Sequence, residues 1–392
     1  MISANVPMGK IFEKNLYITA IPIAFHSILM SIQKFINCFL GMLLLTGCKS
    51  IGPSAIRHGH PMFNQAVAQT LDEQLLLNIV RMRYLDTVYF LDVGSITDTR
   101  NVTLKLGTDN TKFFVHNHGK TAELNASNAF TTSQTPTVTY FPMQGQSFVK
   151  RMYAPIPLPL LLHSVQSGWN TNRVFGIFVE QINDLKNAPT ASGPTPLKAP
   201  EYAEFFQFIS LMTPLLKEDV LKMGVDPVEH KRLIMKINNR NEYANEIAMF
   251  RNFLDAEPSI NEFSFQDNFL AMKNGDLCLR VRSIQSAMFY LSNGVQIPQN
   301  QIDSGLVTVT RHANGSVFDW SQMLGNIFQV HCSAEKPQDA YLSVFYRGYW
   351  FHIADSDINT KSTFMLLSNI FNLQAGDSQV VAPTLTIPIG GK

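Results

Sequence analysis

The spacing of apolar residues along the chain alternates between helical and extended patterns. Apolar positions recur at three- and four-residue steps from Phe63 to Arg83, which predicts an amphipathic helix with one face on a core. Similar spacing predicts helices over 147–169 (broken by prolines), 201–221, 283–294 and 361–373. β-Branched and aromatic residues predict strands over 87–93, 101–106, 136–141, 231–237, 262–273, 306–311, 329–332, 340–346, 349–353 and 380–389. This mixture predicts an α+β fold with mixed sheets and several packed helices.

Three segments are less regular. Residues 173–185 are apolar at both periods, so the pattern does not decide between helix and strand. The polar stretch 107–135 indicates a long loop or a hairpin insertion. Residues 187–200 contain four prolines and a glycine and indicate a linker or surface loop, which divides an N-terminal α+β region (63–190) from a C-terminal α+β region (201–392).

The N-terminus is more apolar than the rest of the chain. An apolar run from Phe35 to Leu45 has the length of a signal-peptide core and is too short for a membrane span. Leu45-Thr46-Gly47-Cys48 matches the bacterial lipobox, which predicts a signal peptide over 1–47, lipidation of Cys48 and a tether over 48–62. The alternative is a plain signal anchor or a buried helix with an incidental cysteine.

The length of this leader leaves its start open. Met30-Ser31-Ile32-Gln33-Lys34 is typical of a short basic leader, so translation can also begin at Met30. A competing interpretation keeps 16–32 as a second membrane element. Under either interpretation the lipobox predicts diacylglycerol on Cys48 and a fatty acyl chain such as palmitate on the new amino terminus. Two or more chains form a stable anchor in membrane lipid.

The residue after the anchor indicates the destination. Position 49 is lysine, whereas aspartate directly after the lipidated cysteine retains enteric lipoproteins at the inner membrane. We therefore expect a protein of the outer membrane, lipid-anchored and facing the periplasm.

Charge and composition narrow the functional classes. The 392 residues contain 31 Lys+Arg and 30 Asp+Glu, and removal of residues 1–47 takes away three lysines and one glutamate. The near-neutral mature chain does not have the basic surplus of a nucleic-acid-binding protein, so we expect no nucleic-acid partner. The full sequence contains 45% hydrophobic residues, which is too high a fraction for a disordered chain.

Two cysteines remain for the mature fold besides Cys48. Cys278 and Cys332 both lie in segments with extended patterns, and in an oxidising periplasm they can form a disulfide. The alternative is two separate buried thiols, since free cysteine is commonly a core residue.

The search for catalytic, metal or cofactor motifs finds none of the common ones. There is no GxGxxG, GxxxxGK[ST], HExxH, CxxC or GxSxG pattern, so we expect no cofactor, no metal and no enzyme. The best candidate for a ligand or interface cluster is Arg347, Trp350, His352 and Asp355, among other aromatic residues. The alternative is a central strand with both faces covered, followed by a turn with aspartate caps.

Several segments together resemble a family of uncharacterised proteobacterial lipoproteins. They are 63–66 (FNQA), 73–84 (EQLLLNIVRMRY), 166–169 (QSGW), 180–183 (EQIN), 346–357 (YRGYWFHIADSD) and 361–364 (KSTF). The Asn-, Lys-, Gln- and His-rich loops are similar to those of Legionella-type proteins. The resemblance implies an outer-membrane lipoprotein and no particular activity, but such bacteria build secretion channels whose outer-membrane cores contain accessory lipoproteins.

Two functional hypotheses follow. In the first, the chain is a non-enzymatic structural or scaffolding component of an envelope assembly, such as a type IV secretion outer-membrane core, with protein partners in the envelope. In the second, it is a periplasmic enzyme or ligand-binding lipoprotein that acts on an envelope component. An exposed apolar strip or an unpaired edge strand favours the first, and a closed apolar pocket with perturbed ionisable groups favours the second.

Overall fold

The computed structural model describes residues 51–107, 113–117, 120–124, 127–227, 229, 232–375 and 385–388. The predicted signal peptide, Cys48 and most of the strand predicted over 380–389 lie outside the described residues. The chain divides into two units, Met1–Ala66 and Val67–Lys392, and the sheets and the core belong to the second.

Ten α-helices occur in the described residues, and they include the predicted helical segments. They are α1 (Ile51–Arg83), α2 (Gln146–Tyr153), α3 (Leu158–Gln166), α4 (Thr171–Phe178), α5 (Ala203–Lys217), α6 (Ala244–Phe253), α7 (Ile284–Ser292), α8 (Gln299–Asp303), α9 (Ser321–Leu324) and α10 (Ile358–Ala375). The first begins at Ile51, so residues 51–62, predicted as a tether, are helical, and the sequence pattern does not predict α6, α8 and α9. The prolines between α2 and α3 separate two short helices because proline is tolerated in a first turn but not in a helix interior.

Fourteen described strands form four sheets. The strands are β1 (Leu91–Gly107), β2 (Phe113–Asn117), β3 (Lys120–Leu124), β4 (Ser127–Pro142), β5 (Val179–Ile182), β6 (Leu185–Lys186), β7 (Leu221–Val225), β8 (Leu233–Ile237), β9 (Glu262–Gln266), β10 (Asp276–Val281), β11 (His331–Ser333), β12 (Ala340–Tyr346), β13 (Tyr349–Ala354) and β14 (Leu385–Pro388). Their orders are β1-β4-β14, β6-β5-β10-β9-β8-β7, β11-β13-β12 and β2-β3. Strands β9 and β10 pair in parallel and the other described pairs are antiparallel, so the predicted α+β fold with a mixed sheet is confirmed.

The hydrophobic core is one cluster. It runs from Leu75 on α1, through Phe178 at the end of α4 and Phe208 on α5, to Phe364 on α10. The six-stranded sheet combines β5 and β6 from the predicted N-terminal region with four strands from the predicted C-terminal region. The two regions therefore share both a sheet and a core.

The irregular segments adopt distinct structures. Residues 173–185 contain the end of helix α4, then strands β5 and β6, which explains why both periods are present. The segment 107–135 is a hairpin insertion: β1 and β4 pair from Leu91↔Pro142 to Gly107↔Ser127, and β2 pairs with β3 beyond them. The one register shift in the long pair is at Gly94, where a side-chain Cβ would lie 1.6 Å from the Phe141 ring.

One predicted strand is absent, and one irregular segment is partly buried. Residues 306–311 form no strand: Arg311 makes isolated bridges to Lys198 and Val317, because this segment packs as a loop against residues 197–199 and 317–318. Of the two alternatives for 187–200, the structure shows a surface loop and not a linker, because Leu197 is exposed whereas Asn187 and Ala188 are fully buried.

Candidate functional site

The turn between β12 and β13 is held by a bidentate ion pair. Arg347 and Gly348 form this two-residue turn, and both have positive φ (47° and 86°), which is costly for arginine. The Arg347 guanidinium donates to both Asp86 oxygens at 2.8–3.2 Å, and Tyr346 Oη donates to Asp86 Oδ2 at 2.5 Å. Burial alone would raise the pKa of Asp86, but these hydrogen bonds outweigh it and hold the pKa below its usual range.

The other members of the predicted cluster do not converge with Arg347. Asp355 accepts a hydrogen bond from Lys361 Nζ at 2.6 Å, whereas Asp357 accepts one from the Thr360 amide in the first turn of α10. His352 faces His331 across β13 and β11, with ring centroids 5.7 Å apart, and burial followed by the charge of His331 lowers its pKa. Trp350 packs on Phe345. The four residues are thus distributed over the hairpin turn, strand β13 and the turn after it, and they do not converge on one site.

The predicted disulfide between Cys278 and Cys332 is not formed. Both are free thiols, and they lie in different sheets, on β10 and β11. Burial raises the pKa of Cys278 and raises that of Cys332 to about 11, so both are protonated at neutral pH. The alternative of two separate thiols describes the structure, with Cys332 partly exposed.

Two amide side chains on α1 fix the segment that leads into β1. Asn78 accepts from the Tyr89 amide at 3.1 Å and donates to the Tyr89 carbonyl at 2.6 Å. One turn earlier, Gln74 makes the same pair of bonds with Leu91, at 2.7 and 3.0 Å. Each amide side chain bonds the main-chain N–H and C=O of one residue, as a neighbouring β-strand would. Gln74 and Asn78 are one helical turn apart, a distance close to that between alternate residues of the extended segment, so each reaches one of them. These four hydrogen bonds, called here the clamp, hold the segment 89–91, which lines the two grooves described next.

The first groove, called here the apolar groove, has a volume of about 460 Å³. Its walls and floor are Met82, Val88, Phe90, Met143, Phe148, Met152 and Phe289, and its rim is Leu85, Tyr89, Val149 and Tyr153. The rim side chains are 48–63% exposed, which is unusual for a contiguous set of apolar residues. Asp86 is the one carboxylate in this lining, and its charge is already engaged by Arg347.

No family model, curated protein or solved structure matches the chain.

The second groove, called here the edge groove, lies between α1 and the free edge of β12 and has a volume of about 880 Å³. It is lined by Glu73, Gln74 and Arg81 of α1, Leu342–Phe345 of β12, Lys336 and Trp350. Among the described strands β12 pairs only with β13, so its other edge is unpaired. The sequence pattern predicts the strand but not which of its edges is free. The feature that could have indicated an open edge is the composition of 340–346 (AYLSVFY), which contains no charge and no proline.

Within the part of the chain that the structure describes, no three His, Cys, Asp or Glu side chains come together as metal ligands. None of the described helices is long and apolar enough to cross a bilayer. The described surface includes two adjacent grooves, one apolar and one bounded by an open strand edge.

Proposed function

We propose that this chain is a lipid-anchored protein of the outer membrane that faces the periplasm and serves as a structural component of an envelope assembly. The lipobox at 45–48 supports the anchor, and the resemblance to proteobacterial lipoproteins supports a setting such as the outer-membrane core of a type IV secretion channel. The role is non-enzymatic.

The observation that carries this proposal is the exposed rim of the apolar groove. Apolar side chains on separate elements, Leu85 after α1 and Val149 and Tyr153 on α2, surround one opening. Interfaces between proteins are typically built around such aromatic and aliphatic anchors, whereas a reactive site needs converging ionisable groups. The lining supplies the anchors and one carboxylate, Asp86, which is ion-paired with Arg347.

Crosslinking of the lipidated protein in membranes, followed by affinity purification, tests the proposal. We expect crosslinked species heavier than the monomer, and we expect the double variant Leu85→Asp/Tyr153→Asp to lose them. The matched control is Leu270→Asp, which changes a fully exposed leucine elsewhere on the chain. Recovery of the wild-type protein only as a monomer would contradict a role in an assembly.

The volume of the apolar groove favours a second candidate function, the binding of an apolar ligand. About 460 Å³ is within the range of small-molecule sites, and three methionines allow the walls to adapt to an occupant. Native mass spectrometry distinguishes the candidates: a bound small molecule that Met152→Trp displaces supports ligand binding, and retention of the crosslinks by the same variant argues against a protein in the groove.

A further inference from the structure

We propose that the free edge of β12 binds an extended peptide segment of a partner protein, which adds as a strand to the sheet β11-β13-β12. This inference concerns a surface separate from the apolar groove. It also goes beyond the proposed function, because it does not require the lipid anchor.

One edge of β12 is unpaired among the described strands. A two-residue turn joins β12 to β13, with Tyr346 opposite Tyr349 and Val344 opposite Phe351. Hydrogen-bonded pairs alternate along such a hairpin, so the main-chain groups of Ser343 and Phe345 point away from β13. No described strand takes these donors and acceptors. The register shift between Ala340 and Leu342 limits the regular edge to about five residues.

Strand β12 lacks the residues that usually protect an edge strand from pairing. Natural edge strands are usually protected by a lysine, a proline or a covering element, because an open edge pairs with other chains. Strand β12 has neither charge nor proline, and its outward side chains include Tyr341 (40% exposed) and Phe345 (57% exposed). An edge with neither charge nor proline, separated from the neighbouring helix by a groove of about 880 Å³, is suited to a strand from another chain.

The charges around the edge groove specify the occupant. Helix α1 runs alongside β12: Asp72 accepts a hydrogen bond from Tyr341 near one end, and Arg81 lies over the Tyr346 ring at the other. Lys336 lies over Trp350, which packs on Phe345 at the same end as Arg81. Glu73 lies beside Asp72. Lys361 also lies 5.0 Å over the Tyr341 ring, but it is paired with Asp355 at 2.6 Å. Asp72 and Glu73 therefore leave the Tyr341 end of the groove net acidic, and Arg81 and Lys336 make the Phe345 end basic.

An antiparallel peptide places its N-terminus at the basic end, in keeping with the antiparallel pairing of the other two strand pairs of this sheet. The chemistry that fits is therefore an uncharged, β-branched stretch of about five residues with an acidic residue before it and a basic residue after it.

Fluorescence anisotropy with a synthetic peptide tests the proposal on the full-length protein in detergent. The probe is labelled, capped Asp-Val-Thr-Val-Thr-Val-Lys, and we expect saturable binding. N-methylation of alternate residues on the edge that faces β12 removes the main-chain donors, and we expect it to weaken binding by about tenfold or more. The charge-reversed peptide, with the first and last residues exchanged, should bind more weakly. Equal binding of the N-methylated peptide, or no saturable binding, overturns the proposal.

Protein variants supply the matched test. Ser343→Pro removes an outward N–H without touching the ladder to β13, and we expect it to abolish binding, whereas Ser343→Thr should preserve it. Lys336→Glu should shift the preference toward the charge-reversed peptide. If Ser343→Pro fails to fold, the N-methylated peptide still decides the question on the wild-type protein. Analytical sedimentation tests whether the edge instead pairs with a second copy of this chain. A wild-type dimer that Ser343→Pro converts to a monomer would assign the edge to that second copy and would overturn the proposal of a partner peptide.

Discussion

The Arg282 side chain is fully buried and acts as a hydrogen-bond centre for three elements. Its guanidinium donates to the carbonyls of Ile177 and Val179 at 2.9 and 3.2 Å, to the Asn187 carbonyl and to Ser192 Oγ at 2.9 Å. It also lies 4.1 Å over the Tyr290 ring. Burial lowers its pKa to about 10, which leaves it charged at neutral pH. The cation thus satisfies carbonyls at the end of α4 and in the segment 187–192.

Arg282→Met should therefore cost at least about 3 kcal/mol of unfolding free energy, because each buried carbonyl left without a donor costs roughly 1–3 kcal/mol. Urea denaturation followed by circular dichroism measures this. The matched control is Arg280→Met, which removes a half-exposed arginine paired with Glu180 at 3.7 Å and should change stability by no more than about 1 kcal/mol. Similar losses for the two variants would contradict the role assigned to Arg282.

Removal of the hydroxyl should affect stability differently at Tyr84 and at Tyr290. Burial raises the pKa of each to about 12, so both hydroxyls are neutral. Tyr84 Oη donates to Gln301, whereas Tyr290 Oη is buried and has no hydrogen-bond partner among the described residues. We expect Tyr84→Phe to destabilise the protein by about 1 kcal/mol and Tyr290→Phe to leave stability unchanged or to raise it. A thermal melt of each variant checks the sign, and destabilisation by Tyr290→Phe would indicate a hydrogen bond to that hydroxyl.

At the scale of elements, the β12–β13 hairpin is attached to the end of α1 through Asp86. Arg347 occupies a left-handed position in the turn, and the Asp86 carboxylate compensates by taking both its guanidinium and the Tyr346 hydroxyl. The Arg347 guanidinium also lies 4.9 Å from the Tyr84 ring, which adds a second contact to the same helix end. This attachment holds the wall of the edge groove in place.

The lowered pKa of Asp86 predicts a pH-dependent contribution to stability. A carboxylate with a folded-state pKa below its unfolded value of about 3.9 stabilises the protein above that value, and the contribution is lost as the pH falls through the folded pKa. Asp86→Asn should therefore lower the melting temperature at pH 7 and differ progressively less from wild type below about pH 4. Asp303→Asn, which changes an exposed aspartate on α8, is the control. A constant difference from pH 7 to pH 2 would contradict the prediction.

Local patterns predicted most elements, and the misses have identifiable physical causes. The helices α1, α5 and α10 and the strands β12 and β13 follow directly from the spacing of apolar residues. The prolines of 187–200 predict a linker or surface loop, but the Asn187 carbonyl at its start accepts from Arg282, 95 residues away in sequence. The clamp of Gln74 and Asn78 on the segment 89–91 depends likewise on pairing across a turn of chain. No local periodicity contains these partners.

For the candidate site, the sequence identified the residues of β12 and β13 but not their relations. It grouped Arg347, His352 and Asp355, which the structure separates because Arg347 lies in the turn and Asp355 lies beyond the strand end. The apolar groove combines residues from α1, α2 and α7 with the segment 85–90. The free edge of β12 is a property of strand order, and strand order depends on which distant segments pair.

At the scale of the whole molecule, the shared sheet and the single core predict one cooperative unfolding unit across the predicted boundary at 187–200. Phe178 at the end of α4 and Phe364 on α10 lie on opposite sides of that boundary and are both fully buried in the same cluster. Phe178→Ala and Phe364→Ala should each cost about 3–5 kcal/mol and should each shift the same transition. Urea denaturation monitored by far-ultraviolet circular dichroism and by tryptophan fluorescence tests this, because a single unit gives coincident curves by both probes. Leu373→Ala, at a position 65% exposed on α10, is the control and should leave the midpoint nearly unchanged. Two separated transitions, with each variant moving only one of them, would show that the regions on either side of 187–200 unfold independently.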